Sequence, residues 1–219
     1  MNDTNERITP SVFAGSATWH YAYCLSTGFQ QRYKTLYVDW IKLMVYLFIC
    51  EKCSVHGQQT LSKHNILNYT QTRDRFYLYI SQVLQEGAND NKKLPMSQRP
   101  NYFKRKSYFF NEIVDEDSAF EMSIKAMFHM LFSYATNFEH KNKQKFEKFV
   151  RLTLSLFPKA DLMWIYEKHN IDKYLSTPDR AFLYVYTLAD ELTDVEDYFH
   201  LKKYYFESLF GMCKSCEMA

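Results

Sequence analysis

Glycine and proline are scarce, with five of each in 219 residues. A turn-rich all-β fold needs both at its tight turns, so that class is disfavoured. A strong excess of one charge is also missing. The net charge is +2, too small to mark a nucleic-acid surface. The one short basic run, Lys104-Arg105-Lys106, reads as a solvated loop. No apolar run is long enough to span a bilayer, since the longest, around residues 41–50, is broken by Lys42. Residues 1–7 are polar and lack the apolar core of a secretory signal. A cytoplasmic or nuclear protein with neither nucleic acid nor membrane as partner is therefore expected.

Aromatic residues are abundant, at 18% of the chain, and supply material for a sizeable core. Their spacing is helical. Trp19, Tyr23, Leu25 and Phe29 mark one helix. Leu36, Trp40, Leu43, Val45 and Leu47 mark a second and share one broad face. A third helix begins at Cys50, and a fourth covers about residues 72–85, with Phe76, Ile80 and Val83 inward. Residues 87–100 read as a loop.

The chain then repeats itself. An offset of 109 carries Thr27 to Thr136, Phe29 to Phe138, Trp40 to Phe149 and Leu47-Phe48 to Leu156-Phe157. Beyond Cys53 the offset is 105. It carries Lys63-His64-Asn65-Ile66 to Lys168-His169-Asn170-Ile171, and Asp74-Arg75 to Asp179-Arg180. One four-residue gap accounts for the change. Elements kept in both copies read as structural, a helix end and the start of the next helix. The cysteines are not kept: Cys50 aligns with Lys159 and Cys53 with Leu162.

Five cysteines form two Cys-x-x-Cys pairs, Cys50/Cys53 and Cys213/Cys216, and a single Cys24 that reads as an ordinary buried thiol. In a reducing compartment such pairs are redox-active or metal-binding more often than structural. A helix that opens at a Cys-x-x-Cys presents unpaired amides and its positive end to the first sulfur, which favours the thiolate. No βαβ pattern surrounds the pair, so a thioredoxin-like fold is not expected. A helical redox protein needs somewhere to send electrons, and a flavin in an aromatic-lined bundle is such an acceptor.

This order of features resembles the Erv/ALR-type FAD-dependent sulfhydryl oxidases. Trp19-His20 is similar to the first-helix element of that family, and Phe48-Ile49-Cys50-Glu51-Lys52-Cys53 to its redox motif. Ala88-Asn89-Asp90-Asn91-Lys92-Lys93-Leu94-Pro95 resembles its basic loop. The proline that precedes the family's first cysteine is absent before Cys50 but present in Leu156-Phe157-Pro158, and Gln85-Glu86 replaces a His-Asn.

The resemblance implies an all-α protein of two tandem Erv-like bundles, four to five helices each, the second without redox cysteines. Residues 1–15 are then a flexible lead-in, 16–100 the catalytic domain, 101–117 a linker, 118–211 a degenerate copy and 212–219 a mobile tail, with Gly211 capping the last helix. It implies that Cys50 and Cys53 are catalytic and that Cys213 and Cys216 shuttle electrons from dithiol substrate proteins or a thioredoxin-like relay. FAD would pass the electrons to O2 and yield hydrogen peroxide. Trp19, His20, His56 and Tyr79 would contact the flavin ring, and Asn89 with Lys92 or Lys93 the adenine and phosphate end, with no metal. The two-copy organisation resembles viral members, which extends the expected location to a virion; homodimerisation is left open. Two other readings stand beside this one. Cys50, Cys53, Cys213 and Cys216 would also make a structural four-cysteine zinc site that clips the C-terminus to the first copy. A helical interaction scaffold with incidental thiols is the third.

Overall fold

In a computed structural model of the chain, the described residues are 14–48, 50–91, 93, 95–99, 101–112, 116–158 and 160–215. They form helices with no β-strand among them, as an all-α chain should. No helix among them is long and apolar enough to cross a membrane.

The first half is built from α1 (Ala14–Thr27), α2 (Lys34–Tyr46), α3 (Glu51–Lys63) and α4 (Arg73–Leu78). Helix α2 buries Tyr37, Val38, Trp40, Ile41, Met44 and Val45. Leu36, expected on that face, is 36% exposed. It sits about 100° round the helix from Tyr37, outside the stripe that carries Trp40 and Met44. Helix α4 is capped by Thr72, whose hydroxyl accepts the Arg75 N–H at 3.2 Å. It continues as a π-helical segment, Tyr79–Gln85, and then as α5 (Glu86–Asn91).

The sequence pattern reads 87–100 as a loop, yet 86–91 are helical, because groups outside the helix hold it. Arg99 Nη1 reaches Glu86 Oε2 at 3.1 Å and Asp90 Oδ1 at 2.5 Å, which ties one face of α5. Helix α5 also lies against α3, with Gly87 beside Thr60. The expected linker is likewise largely helical. Asn101 caps α6 (Tyr102–Ser107), which runs on into a π-helical turn, Tyr108–Glu112.

The second half holds α7 (Glu116–Thr136), α8 (Lys143–Ser155), α9 (Met163–Lys168), α10 (Pro178–Asp190) and α11 (Tyr198–Ser215). The sequence offsets reappear as matched geometry. Asn65 Oδ1 accepts the Leu67 N–H at 3.1 Å, and Asn170 Oδ1 the Asp172 N–H at 3.0 Å. Thr72 and Thr177 cap α4 and α10 in the same way. The Tyr79 hydroxyl donates to the His64 carbonyl, and Tyr184 to that of His169. The rings of Tyr69 and Tyr79 lie 5.0 Å apart, and those of Tyr174 and Tyr184 5.4 Å.

A third offset, 96, extends the match to the last helix of each half. It carries Tyr102-Phe103, Lys106, Tyr108, Phe109 and Phe110 to Tyr198-Phe199, Lys202, Tyr204, Tyr205 and Phe206. Lys106 pairs with Asp74 at 3.1 Å and Lys202 with Asp179 at 2.6 Å. Helix α6 is thus to the first half what α11 is to the second.

The halves meet through their equivalent helices, α1 against α7 and α2 against α8. Trp40 stacks on its own counterpart, Phe149, with centroids 5.7 Å apart. Asp39 accepts a 2.6 Å bond from its counterpart, Lys148. Tyr21 donates to the Thr153 carbonyl at 2.9 Å, and Tyr134 to that of Met44 at 3.0 Å, residues 44 and 153 again being counterparts. Contact between equivalent positions is the signature of an isologous, approximately two-fold interface, here within one chain. A continuous apolar core runs through it.

Candidate functional site

Cys50 stands in extended backbone (φ −88°, ψ 112°) as the N-cap of α3, and its Sγ accepts the Cys53 N–H at 3.3 Å. The first sulfur of the pair therefore faces the helix's free amides, as the spacing predicts. Cys50 and Cys53 are both half-buried, while Glu51 and Lys52 between them are exposed. Helix α3 buries only Ser54 and leaves most of its surface to solvent. Helix α3 is held to α2 at Gly57, where a Cβ would stand 2.5 Å from Val45 Cγ1.

The other expected site residues scatter. The Trp19 ring meets Phe48 edge-on at 6.0 Å, two residues before Cys50, so it belongs to the cysteine neighbourhood. His56 is half-buried on α3. Tyr79 is locked to His64 and Tyr69 by the arrangement that Tyr184 repeats in the cysteine-free half, so its ring serves packing. Asn89 is buried on α5 and donates to Glu86 Oε1 at 3.4 Å. Lys93 is exposed with φ 51°, and its N–H bonds the Asp90 carbonyl at the end of α5. Lys92 lies outside the described residues, as do residues 1–13 of the lead-in. Helix α11 continues through Gly211 to Ser215, so Gly211 does not end it. Cys213 falls in its last turn, and Cys216 lies outside the described residues. Among the described residues no group of three or more His, Cys, Asp or Glu side chains is placed to hold a metal. Cys24 is buried, and burial pushes its thiol up to about 12; it is an inert core thiol.

His20 is different. Its Nε2 is buried with no hydrogen-bond partner, and its ring packs edge-on against Phe109 at 5.0 Å. Burial, and then the charge of Arg105, holds the imidazole below its ordinary pKa, so it is neutral. Around it lies a polar cluster that residue spacing does not reveal. Arg105 Nη1 contacts the Tyr23 hydroxyl and Gln85 Oε1, which also contact each other. The guanidinium lies 4.8 Å over the Tyr23 ring. The Tyr77 hydroxyl is buried and unpartnered.

Two π-helical segments, Tyr79–Gln85 and Tyr108–Glu112, flank this cluster. Such segments recur at functional sites. Their counterparts in α10 and α11 are ordinary α-helix. The signal available in the sequence was the 96-residue offset, which marks α6 as a packed element and places Arg105 on it. Comparison with protein-family models, curated proteins and solved structures returns no match.

Proposed function

We propose that the chain is a sulfhydryl oxidase of two tandem Erv-like bundles, with Cys50 and Cys53 as its redox pair. The observation that carries this reading is Cys50 Sγ at the N-cap of α3, accepting the Cys53 amide. A substrate thiolate attacks Cys50 of the Cys50–Cys53 disulfide. The S–S bond breaks and its electron pair leaves on Cys53, which takes a proton. The second substrate thiolate attacks the mixed disulfide, the substrate disulfide forms, and the electrons leave on Cys50. The amide at 3.3 Å stabilises the departing thiolate. Substrate is oxidised by two electrons and the pair is reduced to the dithiol. In this reading the dithiol that attacks Cys50 in this way is Cys213 with Cys216, whose own disulfide a dithiol of the substrate protein reduces first by the same exchange.

An FAD suits part of the residues expected to hold it. The unpartnered His20 Nε2 is a ready ring partner, and Trp19 with Phe48 forms an aromatic wall beside the cysteines. Asn89 is engaged with Glu86, and Lys93 faces solvent. When bound, the flavin supplies the step that takes two electrons from the dithiol and hands them to O2.

The test is an absorption spectrum and metal analysis of the purified chain, followed by peroxide production with a dithiol. A flavin spectrum that bleaches under dithiol without oxygen and returns in air supports the reading. Cys50→Ser should abolish peroxide production and keep the helical fold. A colourless protein with about one zinc per chain would overturn it.

A further inference from the structure

A half-open cavity of about 170 Å³ lies between the halves. The first half lines it with Arg73, Phe109 and Phe110, and the second with Ala119, Met122 and Pro158. Gly28 and Pro158 close its edge, so tightly that a Cβ on Gly28 would stand 2.6 Å from that of Pro158. Among the described residues that line it there is no carboxylate. The Thr27 and Ser123 hydroxyls there donate to the Cys24 and Ala119 carbonyls at 2.7 and 2.8 Å. Arg73 is exposed at the mouth, its guanidinium 4.9 Å over the Phe110 ring. Among the described residues no carboxylate pairs with it.

The second half shows what packing requires here. Lys106 lies 5.9 Å over the Phe110 ring, and its counterpart Lys202 lies 5.8 Å over Phe206. Arg73 has no such counterpart, because the matching residue is Pro178. Thr72 and Thr177 open the two helices with the same backbone, φ −140° in both and ψ 160° and 162°. Proline is favoured at the first helical position, so the helix start does not need an arginine. Gly28 is Asn137 in the second half, whose Cβ would forbid the approach that closes the cavity. A cation that packing does not need, at the mouth of a cavity with apolar walls and no carboxylate, suits an anion with an apolar body. A guanidinium pairs with a carboxylate through two parallel hydrogen bonds. A cavity of about 150 Å³ takes benzene, so this one has room for about six carbons.

We infer that the cavity binds a small monocarboxylate with a compact apolar body of about six carbons. Its carboxylate pairs with Arg73 at the mouth, and its body lies against Phe109, Met122 and Ala119. None of these residues takes part in the thiol chemistry or is assigned to the flavin, so the site stands apart from that reading.

The test titrates the full chain at constant ionic strength with hexanoate, hexanamide, acetate and inorganic phosphate, read by calorimetry and thermal unfolding. Hexanoate should bind and raise Tm. Hexanamide has the body without the charge, and acetate the charge without the body. Each should bind at least about tenfold more weakly than hexanoate, as should phosphate. Arg73→Pro, which installs the second half's residue at a matched helix start, should weaken hexanoate binding at least about tenfold while circular dichroism stays helical. Ala119→Leu fills the cavity and leaves Arg73 in place. It should weaken binding as much, and carries the test if Arg73→Pro does not fold. No hexanoate binding by the folded chain, equal binding of hexanamide, or undiminished binding by both variants overturns the site. Acetate or phosphate binding as tight as hexanoate overturns it too, since Arg73 would then act as a surface charge only.

Discussion

The two halves share a backbone plan and differ in what they bury. Both close a helix with the same Asn turn, open the next with the same Thr cap, and lock a Tyr pair onto the same carbonyl. The second half fills the space under its last helix with Phe132, Phe182 and Leu201 and gives its histidine a hydroxyl. The first half places Tyr23, Tyr77, Gln85 and Arg105 there, leaves His20 Nε2 unmet, and winds two segments as π-helix. It is also the half with Cys50 and Cys53. A frame that packs well with apolar side chains is thus furnished with polar ones on the side that carries the thiols. The second half shows what packing alone requires, and the difference points to function.

Four measurements would break or sharpen this comparison. The largest effect is expected where the halves touch. Trp40→Ala and Phe149→Ala should each cost about 3–5 kcal/mol in denaturant unfolding. The double variant should cost less than the sum, because the two rings stack on each other. Additive costs would mean that the two-fold contact is not an energetic unit.

Next is pH. Burial, and then Lys125, pushes the His129 imidazole down to about 4. The unfolded state takes a proton near pH 6.5, whereas the folded state does not until about pH 4. The associated stability is therefore full above about pH 6.5 and is lost as pH falls toward 4. The loss should reach up to about 3 kcal/mol, and His129→Phe should remove it. A flat profile in the parent chain would contradict the buried, neutral histidine.

Third, exchanging one hydroxyl between the halves should act in opposite directions. Tyr205→Phe strips His129 of its partner and should cost about 1–3 kcal/mol, whereas Phe109→Tyr offers His20 a partner and should be neutral or stabilising by about 1 kcal/mol. Equal destabilisation by both would show that the two histidine environments do not differ as described. The smallest effect tests sameness. Thr72→Ala and Thr177→Ala should each cost about 1 kcal/mol, alike within error, because both caps hold the same N–H at 3.2 and 3.3 Å.

Much of the fold was legible from residue types and spacing. Helical periodicity at Trp40, Phe76 and Ile80 picked out core positions that are fully buried. The 109 and 105 offsets located matching turns, since a cap or an Asx turn is a local device that two or three residues specify. The start of α3 at Cys50 was legible for the same reason. Helices α5 and α6 were not. The run containing Gly87, Asn89, Asp90 and Asn91 favours a loop by propensity, and it is helical because α3 and Arg99 hold it from outside. The basic run 104–106 reads as a solvated loop because charge says nothing of the aromatic neighbours that carry it. Arg105 reaches its partners from 82 and 20 residues away.

The sequence by itself determined that the chain is helical, that its two halves repeat, and that only the first bears paired thiols at a helix start. These follow from patterns a few residues long, where backbone hydrogen bonding and side-chain period act locally. Tertiary structure alone decided that the halves face each other across an approximate two-fold, and that Tyr205 meets His129 while Phe109 leaves His20 unmet. It alone also collected Arg105, Tyr23, Gln85 and Tyr77 beneath α6. Those outcomes depend on which side chains share a buried volume, and in a low-dielectric interior a buried donor with no acceptor has an energetic consequence that no local pattern records.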